Sequence, residues 1–482
     1  MHQLLLVWSH MDGLTHIPHQ LETLLKALPS DARPYLVGGC VRDGLLGLPV
    51  KDYDLEIFGI PFDDLMRILK THGRTDTVGK SFGIIKWTPQ KGQTFDIALP
   101  RKETKSGRGH RGFDVIADPN LSTTEAAARR DFTINAIMYD PIRQEMIDPF
   151  DGRKDLENKI LRHTSPAFSE DPLRVLRGMQ FAGRFGLTGH PDTLKLCQSI
   201  KDQFEELASE RIWEEWRKWA TLSRHPSMGL AFLDLSGWLE HFPELHAMKG
   251  VPQDPIWHPE GDVWQHTCHC CNALVTLPAW EETESEQDRL VWMLAILLHD
   301  TGKTSTTEQV VKEGKTRIVS PGHDKVSANL ADEFLLRMKA PNNIRERIIP
   351  LVAQHMIHVG TVTDRAVRRL AKRLEPETIP SLCTVMSADA MGRPPLSKAI
   401  PGHILEIQHR AEELDVLSNA PEPFLKGRDL IALGIEPGKQ MGEWLKQGYE
   451  LQLEGEIENR EAALHWIRVH AKRPPERSGP CA

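Results

Sequence analysis

Residues 35–56 read YLVGGCVRDGLLGLPVKDYDLE. The spacing predicts a strand over Tyr35-Leu36-Val37, a glycine turn at Gly38-Gly39, a short helix opened by Arg42 and Asp43, and a second strand carrying Asp52 and Asp54. Glycine lacks the Cβ that would hold a ligand away from the backbone. A helix N-terminus with an arginine beside it suits a chain of phosphates. Side chains two apart on a strand share a face, so both carboxylates are expected to point toward the turn. Two convergent carboxylates beside a phosphate cradle suit a magnesium site for phosphoryl or nucleotidyl transfer. An Asp-x-Asp alone is ordinarily a solvated strand edge, and Gly-Gly alone a turn. The reading rests on strand, turn, helix and strand in that order.

Composition sets the frame. A chain of 482 residues suggests about two to four domains. With 40% hydrophobic and 26% charged residues it has the make-up of a globular protein. No apolar run approaches the roughly 20 residues that span a bilayer, and the N-terminal LLLVW is too short for a signal core and lacks a basic flank. No membrane partner is expected. Seven scattered cysteines, an odd number, argue for a reducing cytoplasm rather than a disulfide framework. A net charge of −8 argues against a generic nucleic-acid coat and leaves room for a local basic groove.

Around the opening stretch, the pattern predicts a packing helix from about His16 to Leu28, an amphipathic helix over Pro61 to His72, and strands at SFGIIKW and TFDIAL. Asp96 lies in the second of these strands, as a third metal ligand or as a strand-end aspartate. Residues 101–111, RKETKSGRGHR, hold five Lys/Arg and no periodicity, and are expected as a basic loop. Two further blocks follow: ARRDFTINAIMYD at 128–140 and IDPFDGRKDL at 147–156.

With residues 35–56, these blocks resemble the polymerase-β-type nucleotidyltransferases, in the branch of CCA-adding enzymes and bacterial poly(A) polymerases. The resemblance implies an α+β head with a mixed sheet, followed by an all-α body. It implies two magnesium ions at Asp52 and Asp54, serving the 3′-hydroxyl and the departing pyrophosphate, with Asp96 a candidate third carboxylate. Gly38, Gly39, Arg42, Asp43, Arg129 or Arg130, and Arg177 would line the nucleotide. Asn135 would hold the ribose or a helix. The basic loop resembles the flexible loop of the enterobacterial CCA enzymes, and the third block a hinge that closes the head.

Residues 165–186 read SPAFSEDPLRVLRGMQFAGRFG. Asp171-Pro172 reads as a helix cap with proline at the first position. Arg174 and Arg177 then share a face with it. Cytosine and adenine each present an amine donor beside a ring-nitrogen acceptor, which an aspartate and an arginine can pair. Uracil and guanine present the reverse and would leave buried groups unpaired. The family uses Glu-Asp-x-x-Arg in this way, and Glu170, Asp171 and Arg174 match it. Some relatives carry an arginine where this chain has Gln180, which touches an auxiliary contact.

Trp213, Trp216 and Trp219 are expected to pack helices. A second chemistry follows in HPEGDVWQHTC (258–268), LLHDTGK (297–303), PGHDKV (321–326), AQHMIH (353–358) and SADAMGR (387–393). Imidazoles with carboxylates suit Mn, Fe, Ni or Zn. The ordered set His266, His299, Asp300, His323, His355 and Asp389 resembles the HD phosphohydrolase superfamily, which implies a metal-activated water acting on a phosphoester, on one metal or two. Cys268, His269, Cys270 and Cys271 are too tightly spaced for separate zinc ligands and read as helix residues behind His266. Residues 365–373 form a basic helix, a solvated face or an RNA contact. Residues 427–456 resemble the C-terminal helical block of CCA enzymes, and KRPPERSGPCA is expected to be disordered.

The expectation is therefore a catalytic head (1–150), a base-selecting helical neck (151–250), an HD domain (251–395) and a tRNA-contacting tail (396–482), in a monomer or homodimer. It would build or repair the tRNA 3′ CCA with CTP and ATP. An A-adding or poly(A) enzyme, a protein that is mainly a phosphohydrolase, and an RNA-binding scaffold with dead sites are the rival readings.

Overall fold

The computed structural model describes residues 14, 16–50, 52–78, 84–105, 113–357 and 362–471. The N-terminal LLLVW run, the tip of the basic loop and the C-terminal KRPPERSGPCA lie outside the described residues. The chain divides into two compact units, 1–242 and 243–482.

The first unit begins with α1 (His19–Ala27). It is shorter than the periodicity predicts because Pro18 and Leu28 are both extended, Leu28 as the residue before Pro29. Then come β1 (Arg33–Val37), α2 (Gly39–Leu45), β2 (Asp54–Phe58), α3 (Phe62–His72), β3 (Arg74–Val78), β4 (Ile84–Gln90), β5 (Gln93–Ala98), β6 (Arg101–Lys105), β7 (Phe113–Ala117), α4 (Thr123–Ala128), β8 (Met138–Asp140), β9 (Glu145–Ile147) and α5 (Gly152–Glu157). Seven strands form one sheet in the order β3-β4-β5-β2-β1-β8-β9. It is mixed: β2 runs parallel to β5 and antiparallel to β1.

Alternation along the strands covers both faces. Leu36, Leu55, Ile57, Ile85 and Ile97 pack with Leu21, Leu24, Leu65 and Leu69 on one side. Tyr35, Val37 and Phe58 pack with Ala126 and Ala127 of α4 on the other.

Two expectations are corrected. Asp52 is not in the strand: Val37 pairs with Asp54 as the last rung, and β1 then turns away at Gly38, which has φ +72°. The basic segment 101–111 is not wholly loop either. Its first five residues form β6, which pairs with β7 through the backbone ladder, a partnership that needs no apolar periodicity.

The helical part of this unit includes α6 (Leu173–Phe185), α7 (Pro191–Ser199), α8 (Ser209–Leu222) and α9 (Pro226–Leu235). Trp213, Trp216 and Trp219 of α8 are buried, so packing accounts for them.

The second unit is built on α11 (Glu286–Leu298), preceded by α10 (Val263–Leu274). From Leu290 to Leu298 every residue of α11 is buried, as expected of a helix apolar all round. After it come the hairpin β10 (Glu308–Lys312) and β11 (Lys315–Val319), then α12 (His323–Arg337), α13 (Asn342–Gln354), α14 (Asp364–Leu374), α15 (Ile379–Met391), α16 (Gly402–Glu413), α17 (Lys439–Glu454) and α18 (Arg460–Ala471). The body is thus helical except for short strands. The hairpin replaces helix where Val310 and Val311 are followed by the turn Glu313-Gly314, both at positive φ. Helix α11 packs against α10, α12, α13 and α15. No helix among the described residues is long and apolar enough to cross a membrane.

The basic helix α14 is engaged within its own unit. Arg369 pairs with Glu450 and Glu454 of α17, Arg365 with Glu454, and Arg368 donates to the Leu453 carbonyl. These guanidiniums are spent on the tail rather than presented as an open basic face.

Candidate active sites

In the head, parallel pairing sets Asp54 directly beside Asp96. Asp54 and Glu56 share the sheet face from which Arg130 approaches, and Arg130 donates to Glu56 at 2.9 Å. Gly38 lies between: a Cβ there would fall 3.2 Å from Arg130 Nη1 and 3.7 Å from Asp54 Oδ2. The absent side chain and the positive φ keep this corner open. Gly39 starts α2, where a Cβ would meet Arg42 at 3.5 Å. Asp52 is exposed, two residues before the strand, close enough to raise the pKa of Asp54.

Burial, then the charge of Asp96 alongside, push Asp54 up to about 6, against the pull of Arg130. A divalent cation held here competes with that proton, so the sign is fixed: binding weakens as pH falls through 6. We expect affinity about tenfold lower at pH 5 than at pH 8. Asp96→Asn removes the like charge and should move the fall to lower pH. Calorimetric titration with Mn2+ across this range reads both; a pH-independent affinity would contradict the geometry.

Behind this corner runs a chain of buried charge. Arg42 donates to Asn135 Oδ1 at 2.6 Å and to Asp43 at 2.8 Å, and lies over the rings of Phe181 and Phe185. Asn135 donates to Asp131 at 2.9 Å, and Arg177 donates to the other Asp131 oxygen at 2.8 Å. Asp43 also pairs with Arg184 of α6. Burial opposes charge on Asp131, but Arg177 holds its carboxyl below the usual range, and Asp131 in turn raises Arg177. So Asn135 here holds the helices together. Arg42 and Asp43 tie α2 to α6.

On the adjoining segment Arg129 pairs with Glu170 at 3.0 Å. Arg174 donates to the carbonyls of Ala167 and Arg129, each at 2.8 Å. Asp171 accepts from the Leu173 amide, the expected cap, and from Arg211 at 3.2 Å. The predicted base-selecting residues thus have separate partners: Asp171 meets Arg211, and Arg174 meets two carbonyls, one of them that of Arg129, next to Arg130.

In the second unit six residues from five helix ends converge. His299 and Asp300 follow α11, His323 starts α12, His355 follows α13, and His266 and Asp389 come from α10 and α15. His299, His323 and His355 each bond through Nδ1 to the carbonyl three residues earlier, at 2.7 Å. His266 Nδ1 lies 2.7 Å from Glu260. Donation from Nδ1 turns every Nε2 lone pair inward. Asp300 bridges the group: Oδ2 is 3.2 Å from His299 Nε2 and 3.6 Å from His266 Nε2, while Oδ1 is 3.2 Å from His323 Nε2 and 3.7 Å from His355 Nε2. Asp389 Oδ1 is 3.0 Å from His266 Nε2.

Lone pairs facing carboxylate oxygens at this range repel unless a cation lies between them. Ligand–metal distances of about 2.0–2.2 Å give donor–donor edges near 3 Å. His299 Nε2 and Asp300 Oδ1 are buried without a hydrogen-bond partner. The residues fit a metal. Two overlapping donor sets, His266-Cys270-His299-Asp389 and His299-Asp300-His355, share His299.

The chain is 37% identical over 372 residues to the multifunctional CCA protein of Psychromonas ingrahamii, a match covering 74% of this chain and 85% of that one. It belongs to the multifunctional CCA protein family. The family member from Xanthomonas campestris pv. campestris is 36% identical over 423 residues, 85% of this chain and 95% of that one. Residues 34–162 match the Poly A polymerase head domain and 265–393 the HD domain. The fold is similar to that of the Bacillus stearothermophilus CCA-adding enzyme in complex with CTP (TM-score 0.63, 21% identity, 95% of this chain and 98% of that one). It is also similar to the Thermotoga maritima CCA-adding enzyme complexed with tRNA (TM-score 0.55, 19% identity, 96% of this chain and 99% of that one).

In this multifunctional CCA family member, sequence reasoning passes over three residues, Asp131, Glu260 and Lys303. Asp131 lies inside the second block. Glu260 bonds both His258, at 2.9 Å, and His266. Lys303 reaches Asp300 at 2.6 Å and donates to Gln253 at 2.9 Å. Each stands in a motif already singled out; which side chain each one meets is a matter of tertiary distance. Cys270 corrects the reading that places it behind His266. It lies one helical turn on, so its Sγ comes alongside, 3.3 Å from His266 Nε2.

Proposed function

We propose that this chain adds or repairs the CCA end of tRNA from CTP and ATP without a nucleic-acid template. The observation that carries the reading is the Asp54–Asp96 pair, set beside Gly38 and Arg130, in a chain of this family. Magnesium held by Asp52 and Asp54 supplies, when bound, charge neutralisation at the hydroxyl and the pyrophosphate. The terminal 3′-hydroxyl attacks the α-phosphorus, the bond to pyrophosphate breaks, and the hydroxyl proton passes to the carboxylate pair. Arg42, Arg129 or Arg130, and Arg177 are the proposed donors to the phosphates. Asp171 and Arg174 choose the base, exchanging their present bonds to Arg211 and to two carbonyls for the edge of C or A.

Within this reading the residue spans are those of head (1–150), neck (151–250), HD domain (251–395) and tail (396–482). The tail, with tRNA as partner, completes the grip on RNA. The free cysteines of the described residues suit a cytoplasmic enzyme.

The second centre is proposed to hydrolyse phosphoesters, with 2′,3′-cyclic phosphates as the class. Its imidazole and carboxylate donors suit Ni2+, Mn2+, Fe2+ or Zn2+. Water adds to phosphorus, one P–O ester bond breaks, and the leaving oxygen takes the proton.

The deciding experiment supplies tRNA lacking its last three nucleotides with magnesium and labelled CTP or ATP, separately and together. Addition of two C residues from CTP, then a single A only with ATP, is the expected result. A alone, or a long A tail, would replace CCA synthesis with the poly(A) reading.

A further inference from the structure

We propose that Trp257 is the stacking platform for the nucleobase of the second centre's substrate, and so sets its preference for phosphoesters that carry a base; this rests on the hydrolase reading above. A cavity of about 630 Å³ opens onto Asp300, His323, His355 and Asp389. Its size suits one nucleotide. The same cavity is lined by the apolar side chains of Trp257, Met356 and Ile318.

Trp257 is 62% exposed, although it lines this cavity. An indole left in water beside a polar centre costs hydration free energy that a stacked base would recover. The backbone that carries it is tied down. The Asp254 carbonyl accepts from the amides of Trp257, at 3.0 Å, and His258, at 2.8 Å, while the Asp254 carboxylate accepts from Ile256 and lies 3.5 Å from Arg317 of β11. The next residue, His258, bonds to Glu260, which holds His266. One short, doubly tied segment therefore joins the exposed ring to a metal-binding histidine. A rigid aromatic loses little entropy when a flat ring lands on it.

The one cavity thus offers both metal-binding donors for a phosphate and a flat apolar face for a base. Arg393 also lines the cavity and adds positive charge to it.

The test uses the full-length, metal-loaded protein and two substrates: adenosine 2′,3′-cyclic phosphate, and the same cyclic phosphate on methyl riboside, which has no base. Trp257→Ala is expected to raise KM for the nucleotide about tenfold to a hundredfold with kcat nearly unchanged, on the scale of base–aromatic stacking. The baseless substrate should be indifferent to the change, and Trp257→Phe should restore most of the nucleotide KM. Metal content, measured separately, should match the parent. An unchanged nucleotide KM, or an equal change for both substrates, would overturn the proposal. If the parent hydrolyses neither, the hydrolase reading fails instead. Calorimetric binding of adenosine 2′-phosphate then decides Trp257: at least a tenfold loss in the alanine variant keeps the platform, and an unchanged affinity removes it.

Discussion

Asp54→Asn is expected to lower nucleotide addition by at least about a thousandfold, with the fold intact. A metal ion's stabilisation of developing charge is worth several kcal/mol, and each 1.36 kcal/mol is about tenfold in rate. Asparagine keeps the shape of the side chain, so the pairing of β2 with β5 is undisturbed. It removes a charge that burial and Asp96 already disfavour. The folded-state pKa is raised, so above pH 6 the charged side chain makes the metal-free fold less stable than an ordinary aspartate would. The variant should therefore melt no lower than the parent at pH 8 in the absence of divalent cation. Primer extension on truncated tRNA together with a melting curve checks both halves. Retained addition would remove Asp54 from the catalytic machinery. A collapsed melt would show that the loss was one of folding.

Asp300→Ala is expected to empty the second centre while sparing the first. Asp300 is the bridge: one oxygen faces His266 and His299, the other His323 and His355. Burial opposes its charge, but His299 and Lys303 hold its carboxyl well below the usual range. Without it, four imidazoles and Lys303 are left with Asp389 and, on the outer side of His266, Glu260 as the carboxylates. Metal content should fall, and hydrolysis should drop by about a thousandfold or more. CCA addition, which we propose for the Asp54–Asp96 site, should stay within about twofold. Elemental analysis of the purified variant reads the first effect independently of turnover. Asp300→Asn, which keeps the volume, separates lost ligation from lost packing. Full hydrolysis in both variants would move the activity elsewhere.

The sequence is informative where chemistry and local geometry coincide. Tyr35-Leu36-Val37 followed by two glycines can hardly be other than a strand entering a turn, and His299-Asp300 closes a helix that is apolar from Leu290 to Leu298. It is less so where a partner comes from far away. Nothing near Arg42 says that Phe181 and Phe185, some 140 residues on, will cover it. The strand at Arg101–Lys105 is invisible because its partner supplies hydrogen bonds rather than an apolar face. Cys270 was legible in principle, four residues after His266, but a rule about zinc spacing obscured the simpler rule about helical turns. Asp52 shows the opposite error: a two-residue period was extended past the point where its partner strand had turned away.

The parallel rung that joins Asp54 to Asp96 has a consequence for how this head can evolve. A slip of one residue between β2 and β5 would carry one carboxylate to the far face of the sheet. What forbids the slip is Leu55 and Ile97, the next rung, packed in the interior. Those two buried side chains set the alignment of the proposed catalytic pair. Drift at such positions is constrained by accuracy as well as by stability, and a variant that melts normally could still inherit a misaligned pair.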